Sequence, residues 1–190
     1  MGANKALLTL VPGGPTMVEL VVSAVQAVSN DIVLVGSPAD RNRYPALPWL
    51  ADSPAGVGPL GGIRAALAAS HTDRLLVVAC DMPLLNPTLL RYMVSCASDH
   101  DALVPQVAGR LHPLHAIYHR SSLPRIEEYL SAGESRVQGW FPGARIAVIP
   151  ESTVARHDPA LCSCLNLNTP ADLDLARQIM AAGASTVLHP

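Results

Sequence analysis

Apolar positions along this chain switch repeatedly between helical and strand spacing. Val18, Val21, Val22, Val25 and Val28 recur with helical period after Pro15, and Thr16 and Glu19 stand at capping-box positions, so a helix is predicted there. Residues 32–36 follow as a short apolar strand. Three prolines and a charged patch between Ser37 and Leu50 mark a surface connection. Residues 63–69 form an Ala-rich helix with Pro59 at or near its first position. Residues 75–80 are an unbroken apolar run rich in β-branched side chains, the pattern of a strand covered on both faces of a parallel sheet. Asn86 and Pro87 read as N-cap and first residue of a helix reaching about Ala97. Residues 101–107 read as a strand, with Ala108-Gly109-Arg110 a tight turn into a return strand. A helix over 122–132, a strand over 145–149, and a last helix opening at Thr169-Pro170 and carrying Leu173, Leu175 and Ile179 complete the order. Strands alternating with helices, and no internal repeat, predict one α/β domain with a mainly parallel sheet.

Composition narrows the setting. A chain of 190 residues, 49% of them hydrophobic, can bury one sizeable core. A net charge of −2 with no basic block argues against a nucleic-acid surface. Ser23, Gln26, Ser29, Asn30 and Asp31 interrupt the apolar stretch 18–35, which is therefore no membrane span. With no basic, apolar leader at the N-terminus, a cytoplasmic location is expected. Cys80 is expected in a buried strand and Cys96 in a helix, while the Cys162/Cys164 pair lacks the partner spacing of a zinc site. Reduced thiols are the expected state.

Asp81 follows the apolar run at a strand's carboxyl edge, where open α/β sheets bind ligands. Two readings stand: a ligand for a hard cation such as Mg²⁺, or a residue that caps the next turn. Three segments would meet it there. The Gly-rich loop from Asp52 to Gly62 opens a helix, so its amides near Gly58 and Gly62 suit phosphate or base acceptors, or make a tight structural turn. In Asn166-Leu167-Asn168-Thr169-Pro170 the two asparagines point one way if the segment is extended, offering carboxamides to a metal or substrate, or bonding locally. Lys5 near the N-terminus could balance phosphate charge, or be a solvated surface lysine.

In order, Met1-Gly2-Ala3-Asn4-Lys5, the 52–62 loop, Cys80-Asp81-Met82-Pro83, residues 110–118 (Arg-Leu-His-Pro-Leu-His-Ala-Ile-Tyr) and Asn166-Leu167-Asn168-Thr169-Pro170 resemble the molybdenum cofactor guanylyltransferase family of the MobA type. The resemblance covers nearly the whole chain. It implies a Rossmann-like nucleotidyltransferase fold, with a mainly parallel sheet and helices on both faces, that uses GTP and Mg²⁺ to attach GMP to molybdopterin with release of pyrophosphate. It implies that Asp81 binds metal and nucleotide, that Lys5 contacts the nucleotide phosphates and that Asp52 helps bind the guanosine portion. Gly58, Gly62 and Ser37 complete the expected nucleotide side. Arg110, His112, His115, Asn166 and Asn168 are the candidates for the pterin side, His115 being as well explained by packing. Transient contacts with proteins that deliver or accept the molybdenum cofactor are expected partners.

The chain also departs from that pattern. The family signature opens with a buried strand and L-A-G-G-x-S-x-R-M-G-x-D-K, whereas this chain begins at the signature's Met. Asn4 stands where the family has Asp, and Ser37 where relatives present Asn to the nucleotide. The expectation is one nucleotidyltransferase domain over 1–190, lacking its first strand, with the natural start upstream and the sheet interrupted at its centre. Beside guanylyl transfer stand cytidylyl or other nucleotidyl transfer to molybdopterin or a small phosphate. A catalytically silent relative without the phosphate loop is the third reading.

Overall fold

A computed structural model describes residues 5–37, 41, 47–52, 56–96 and 99–186. Its helices are α1 (Met17–Val25), α2 (Pro59–Ala69), α3 (Pro87–Ser95), α4 (Leu123–Ser131), α5 (Glu151–His157) and α6 (Pro170–Thr186). Its strands are β1 (Leu34–Gly36), β2 (Trp49–Ala51), β3 (Arg74–Val78), β4 (Ala102–Val107), β5 (Arg110–Leu111), β6 (His115–His119) and β7 (Ile146–Ile149).

The sheet comes in two pieces. β1 and β2 pair in parallel, Leu34 opposite Trp49. β6 runs antiparallel between β3 and β4, and β7 pairs parallel to β4. Thus β3, β4 and β7 share one direction and β6 opposes them, a Rossmann-like α/β layer. Among the described residues β3 is bonded only to β6 and β1 only to β2, so the two pieces exchange no ladder bonds. Helix α2 bridges them by packing on β1, β2 and β3.

The period of two along β6 sorts the core into two layers. Ala116 and Tyr118 face Leu60, Ile63 and Leu67 of α2, Ile126 of α4 and Trp140. Ile117, between them, faces Leu89 and Met93 of α3 and Val154 of α5. Each such fully buried side chain contributes about 1.5–3 kcal/mol by leaving water.

Local chemistry fixes the helix starts. The Thr16 backbone N–H donates to Glu19 Oε2 at 2.7 Å, and Glu19 N–H donates to Thr16 Oγ1 at 3.4 Å, the predicted capping box. Asn86 Oδ1 accepts from Thr88 N–H at 2.9 Å, with Pro87 next in line, as the sequence predicts.

Three expectations need correction. β3 ends at Val78, so Ala79 and Cys80 have left the ladder and Cys80 is exposed. Leu75 to Val78 are half-buried rather than covered on both faces, because β3 has an edge with no neighbouring strand among the described residues. Strand β2, which takes Trp49 and Leu50 out of the expected surface connection, helix α5 and the short 3-10 turn Cys162–Cys164 have no counterpart in the expected elements. α5 spans only seven residues, with β-branched Thr153 and Val154 at its centre, too short for a periodic signature.

The return strand carries an insertion. Val107 pairs with Arg110 and Leu103 with Ile117, so four steps along β4 match seven along β5 and β6. The three extra residues, His112-Pro113-Leu114, bulge out of the ladder. Leu114 C=O accepts from Ala79 N–H at 2.9 Å, and the buried Tyr118 hydroxyl donates to Pro113 C=O at 2.7 Å. Bulges of this sort re-aim side chains next to functional sites. This one sits against the carboxyl end of β3.

Candidate active site

Past the end of β3 the chain turns, and Asp81 becomes the meeting point of two distant segments. Its backbone C=O accepts from Leu167 N–H at 2.8 Å, and its Oδ1 accepts from Asn166 Nδ2 at 3.2 Å. The sequence prediction that these segments converge is thus met at atomic distance. Asn166 is half-buried, Leu167 is 1% exposed and Asn168 is exposed, the alternation of an extended segment. Leu167 anchors it by packing with Leu10, Met17 and Ala176.

The start of α6 explains Asn168 and Thr169 by their backbones. Asp172 Oδ2 accepts from both of their N–H groups, at 2.9 and 2.7 Å, and Thr169 Oγ1 accepts from Asp172 N–H at 3.2 Å. The cap is local, and it leaves the exposed Asn168 side chain on the same side of the segment as Asn166.

The nucleotide-side residues cluster around the other piece of the sheet. Ser37 is exposed directly after β1, and Asp52 directly after β2 donates its N–H to Gly36 C=O at 3.1 Å. A side chain at Gly36 would meet the Trp49 ring at 3.1 Å, a tight fit in which the ring would have to shift by a few tenths of an ångström. Asp52 Oδ1 is buried without a hydrogen-bond partner among the described residues. Residues 53–55 of the Gly-rich loop lie outside the described residues, and so does the Lys5 side chain; the Lys5 backbone begins the 3-10 turn Lys5–Leu7.

The two loop glycines separate in role. Gly58 precedes α2 with φ 77°, a conformation that favours glycine, and α2 has no side-chain cap and no acidic residue in its first turn. Gly62 lies within α2, where an added Cβ would touch Val35 Cγ1 at 3.4 Å. A position inside the helix and beside β1 is thus where the residue expected on the nucleotide side stands.

On the remaining flank, Arg110 is exposed on β5 and His112 is half-buried in the bulge. Burial, assisted by the Arg110 charge, lowers the His112 pKa from 6.5. His115 is 0% exposed, so a direct substrate contact gives way to a position beneath the site. Burial, with His112 nearby, pushes its pKa down to about 4, and the imidazole is neutral at physiological pH.

Sequence reasoning missed the support under Asn166. Buried Asp158 accepts Ser163 N–H at 2.8 Å, and Ser163 Oγ accepts Asn86 N–H at 2.7 Å, tying the turn before Asn166 to the start of α3. Burial first, then the Asp158 charge, raises the Cys164 thiol to about 12, so Cys164 is an inert packed thiol. No short-range pattern announces bonds between residues 77 apart in sequence.

To this geometry the comparisons with known proteins add a family. Residues 1–145 match the MobA-like NTP transferase domain. The chain belongs to this family. It is a nucleotidyltransferase of that type, 34% identical over 186 residues to a probable molybdenum cofactor guanylyltransferase of Pelotomaculum thermopropionicum, covering 98% of this chain and 89% of the relative. A protein of the same description from Carboxydothermus hydrogenoformans is 30% identical, covering 95% and 90%. The solved molybdopterin-guanine dinucleotide biosynthesis protein A of Archaeoglobus fulgidus superposes with a TM-score of 0.82 at 26% identity, covering 95% of this chain and 92% of that one. The 2-C-methyl-D-erythritol 4-phosphate cytidylyltransferase of Thermus thermophilus shares the fold, with a TM-score of 0.69 at 17% identity over 93% of this chain and 94% of that one. No helix among the described residues is long and apolar enough to cross a membrane.

Proposed function

We propose that this MobA-type nucleotidyltransferase transfers GMP from GTP to molybdopterin, releasing pyrophosphate and forming the guanine dinucleotide form of the molybdenum cofactor. The observation that carries the reading is the Asp81–Asn166 contact at 3.2 Å, which joins two of the segments on which the family resemblance rests.

A molybdopterin phosphate oxygen attacks the α-phosphorus of GTP in line, and negative charge gathers on the phosphoryl oxygens and the departing pyrophosphate. Positioning and charge neutralisation therefore dominate. The donor set at Asp81 fits Mg²⁺. Asn166 spends its amide nitrogen on Asp81 Oδ1, which leaves Asp81 Oδ2 and the Asn166 carbonyl oxygen as the other acceptors of the pair. These are hard oxygens of the kind Mg²⁺ prefers, and Mg²⁺ held at Asp81 would supply charge neutralisation at the phosphates. Lys5 adds a compact cation on the phosphate side.

Asp52 Oδ1, buried and without a donor among the described residues, suits a ligand that brings one. Guanine offers two adjacent donors, N1–H and the 2-amino group, which suit a carboxylate. Ser37 and the amides at Gly58 lie at the ends of β1 and the start of α2, on the nucleotide side of the proposal. On the acceptor side the proposal places Arg110 and His112, with Asn168 and the Asn166 carboxamide on the far wall; His115 acts from beneath. Contacts with proteins that deliver or accept the cofactor fit the exposed rim.

The deciding experiment incubates the protein with molybdopterin and each of the four nucleoside triphosphates, with and without Mg²⁺, and measures pyrophosphate. GTP with Mg²⁺ is the expected productive pair. A preference for CTP would move the activity to cytidylyl transfer, and no binding or turnover with any nucleotide would make the chain a silent relative.

A further inference from the structure

Residues 110–118 carry part of the family resemblance, and Tyr118 at their end has no role in the proposed chemistry. Its side chain is 0% exposed, in the core layer with Leu60, Ile126 and Trp140. A phenylalanine would fill that place equally. What a phenylalanine lacks is the hydroxyl, and a buried tyrosine hydroxyl needs an acceptor. It finds one at 2.7 Å in the Pro113 C=O, five residues back along the chain. Burial pushes the Tyr118 pKa up, so the hydroxyl keeps its proton and stays a donor near neutrality.

Pro113 and Leu114 are the middle of a turn that His115 N–H closes on His112 C=O at 3.0 Å, and His112 N–H donates to Pro105 C=O at 2.9 Å. The ends of the bulge are thereby tied to the sheet. Its middle is tied by two carbonyls: Pro113 C=O to Tyr118, and Leu114 C=O, in the next peptide unit, to Ala79 N–H at 2.9 Å. Leu114 also packs its side chain on the Tyr118 core layer, which holds the turn down without setting the direction of a carbonyl, as a hydrogen bond does. Ala79 C=O in turn accepts from Met82 N–H at 3.3 Å, closing a turn that has Asp81 as its third residue. We infer that Tyr118 is a positioning residue for Asp81: its hydroxyl sets the direction of the Pro113–Leu114 peptide, the Leu114 carbonyl then holds Ala79, and the 79–82 turn presents the Asp81 carboxylate to Asn166 and to the ligand. The path consists of bonds within the chain, so the loss of the hydroxyl is read in the free protein.

The test compares wild type with Tyr118→Phe, which keeps the ring and loses the hydroxyl, and with Ile126→Val, which loosens the same core layer and keeps the hydroxyl. Amide hydrogen exchange, followed by NMR on the full chain without substrate, gives the ratio of the Ala79 rate to the Val77 rate, Val77 being paired with Ala116 inside the ladder. That ratio cancels a loss of global stability. Tyr118→Phe is expected to raise it about tenfold or more, the sign of a local opening, while Ile126→Val leaves it as in wild type. The Asn166 side-chain amide signals should move in Tyr118→Phe towards those of the exposed Asn30. In turnover, which rests on the nucleotidyl transfer proposed above, kcat should fall about tenfold in Tyr118→Phe with the nucleotide KM within about twofold, since a displacement of about 1 Å can cost about 10²-fold. An unchanged ratio in Tyr118→Phe, an equal rise in Ile126→Val, or an unchanged kcat in active Tyr118→Phe would overturn the proposal. So would a wild-type Ala79 amide that exchanges as freely as that of the exposed Gly109. Should Tyr118→Phe not fold, Tyr118→Met, which also lacks the hydroxyl, takes its place. Because the exchange arm needs no nucleotide, failure of the positioning role and failure of the guanylyl-transfer reading are distinguishable.

Discussion

Asp81 and Asp52 both follow a strand end, but they are held in opposite ways. Asp81 stands beside a ladder shared with β6, with its carbonyl and one carboxylate oxygen fastened to the 166–167 segment. Asp52 stands beside a pair of three-residue strands and keeps a buried carboxylate oxygen with no donor among the described residues. The first carboxylate is already fastened within the chain. The second has an acceptor whose partner must come from outside the described residues. This division suits a site in which one side aligns reacting atoms and the other selects what enters.

The sharpest way to break the contrast is Asp81→Ala. Because the bond from Leu167 goes to the Asp81 main chain, this variant should melt within a few degrees of wild type while turnover falls by about 10³ or more, the scale of losing a principal electrostatic group. Unchanged turnover with Mg²⁺ would remove Asp81 from the chemistry.

The next effect belongs to the buried histidine under Asp81. Its pKa is about 4 when folded against 6.5 when free, so between those values the unfolded chain binds more protons and stability falls as pH drops. The loss should reach about 3 kcal/mol by pH 4 and be absent above pH 7. Chemical denaturation from pH 7 to 4 should show it in wild type and show it diminished in His115→Phe. An equal slope in both would assign the acid sensitivity to other groups.

On the opposite side, Asp52→Asn should raise nucleotide KM about tenfold, near 1.4 kcal/mol, with a smaller change in kcat, measured by steady-state kinetics. A loss confined to kcat would place Asp52 with the aligning half instead. The smallest effect should come from Gly62→Ala. Its Cβ would meet Val35 at an ordinary contact distance, and helix propensity favours Ala by about 1 kcal/mol, so a neutral or slightly raised melting temperature with unchanged KM is expected. A raised KM would return Gly62 to the nucleotide contacts.

Much of the aligning half was legible from sequence because its signals are local. The caps at Thr16 and Asn86 and the Ala108-Gly109 turn each need only a few neighbouring residues. Asp81 and the Asn166 segment were placed at one edge by topology and resemblance, and the fold brought them into contact. What escaped depends on partners far along the chain. Ser163 binds Asn86 across 77 positions, and the three-residue insertion shows only when β4 is laid against its return strand. The burial of β3 was misjudged for a related reason: an apolar run reports what a strand would prefer to cover it, and the covering neighbour is a property of the whole sheet.

The starts of helices α2 and α6 differ in one further respect. At α6, Asp172 already supplies a carboxylate to the first free amides, so the positive end of that helix is neutralised by the chain itself. At α2 no described side chain does so and the first turn has no acid. A polyanion would therefore find little attraction at one mouth and uncapped amides at the other. Long-range charge would thus favour an anionic ligand at the start of α2 over the start of α6, before it is near enough to be recognised by shape.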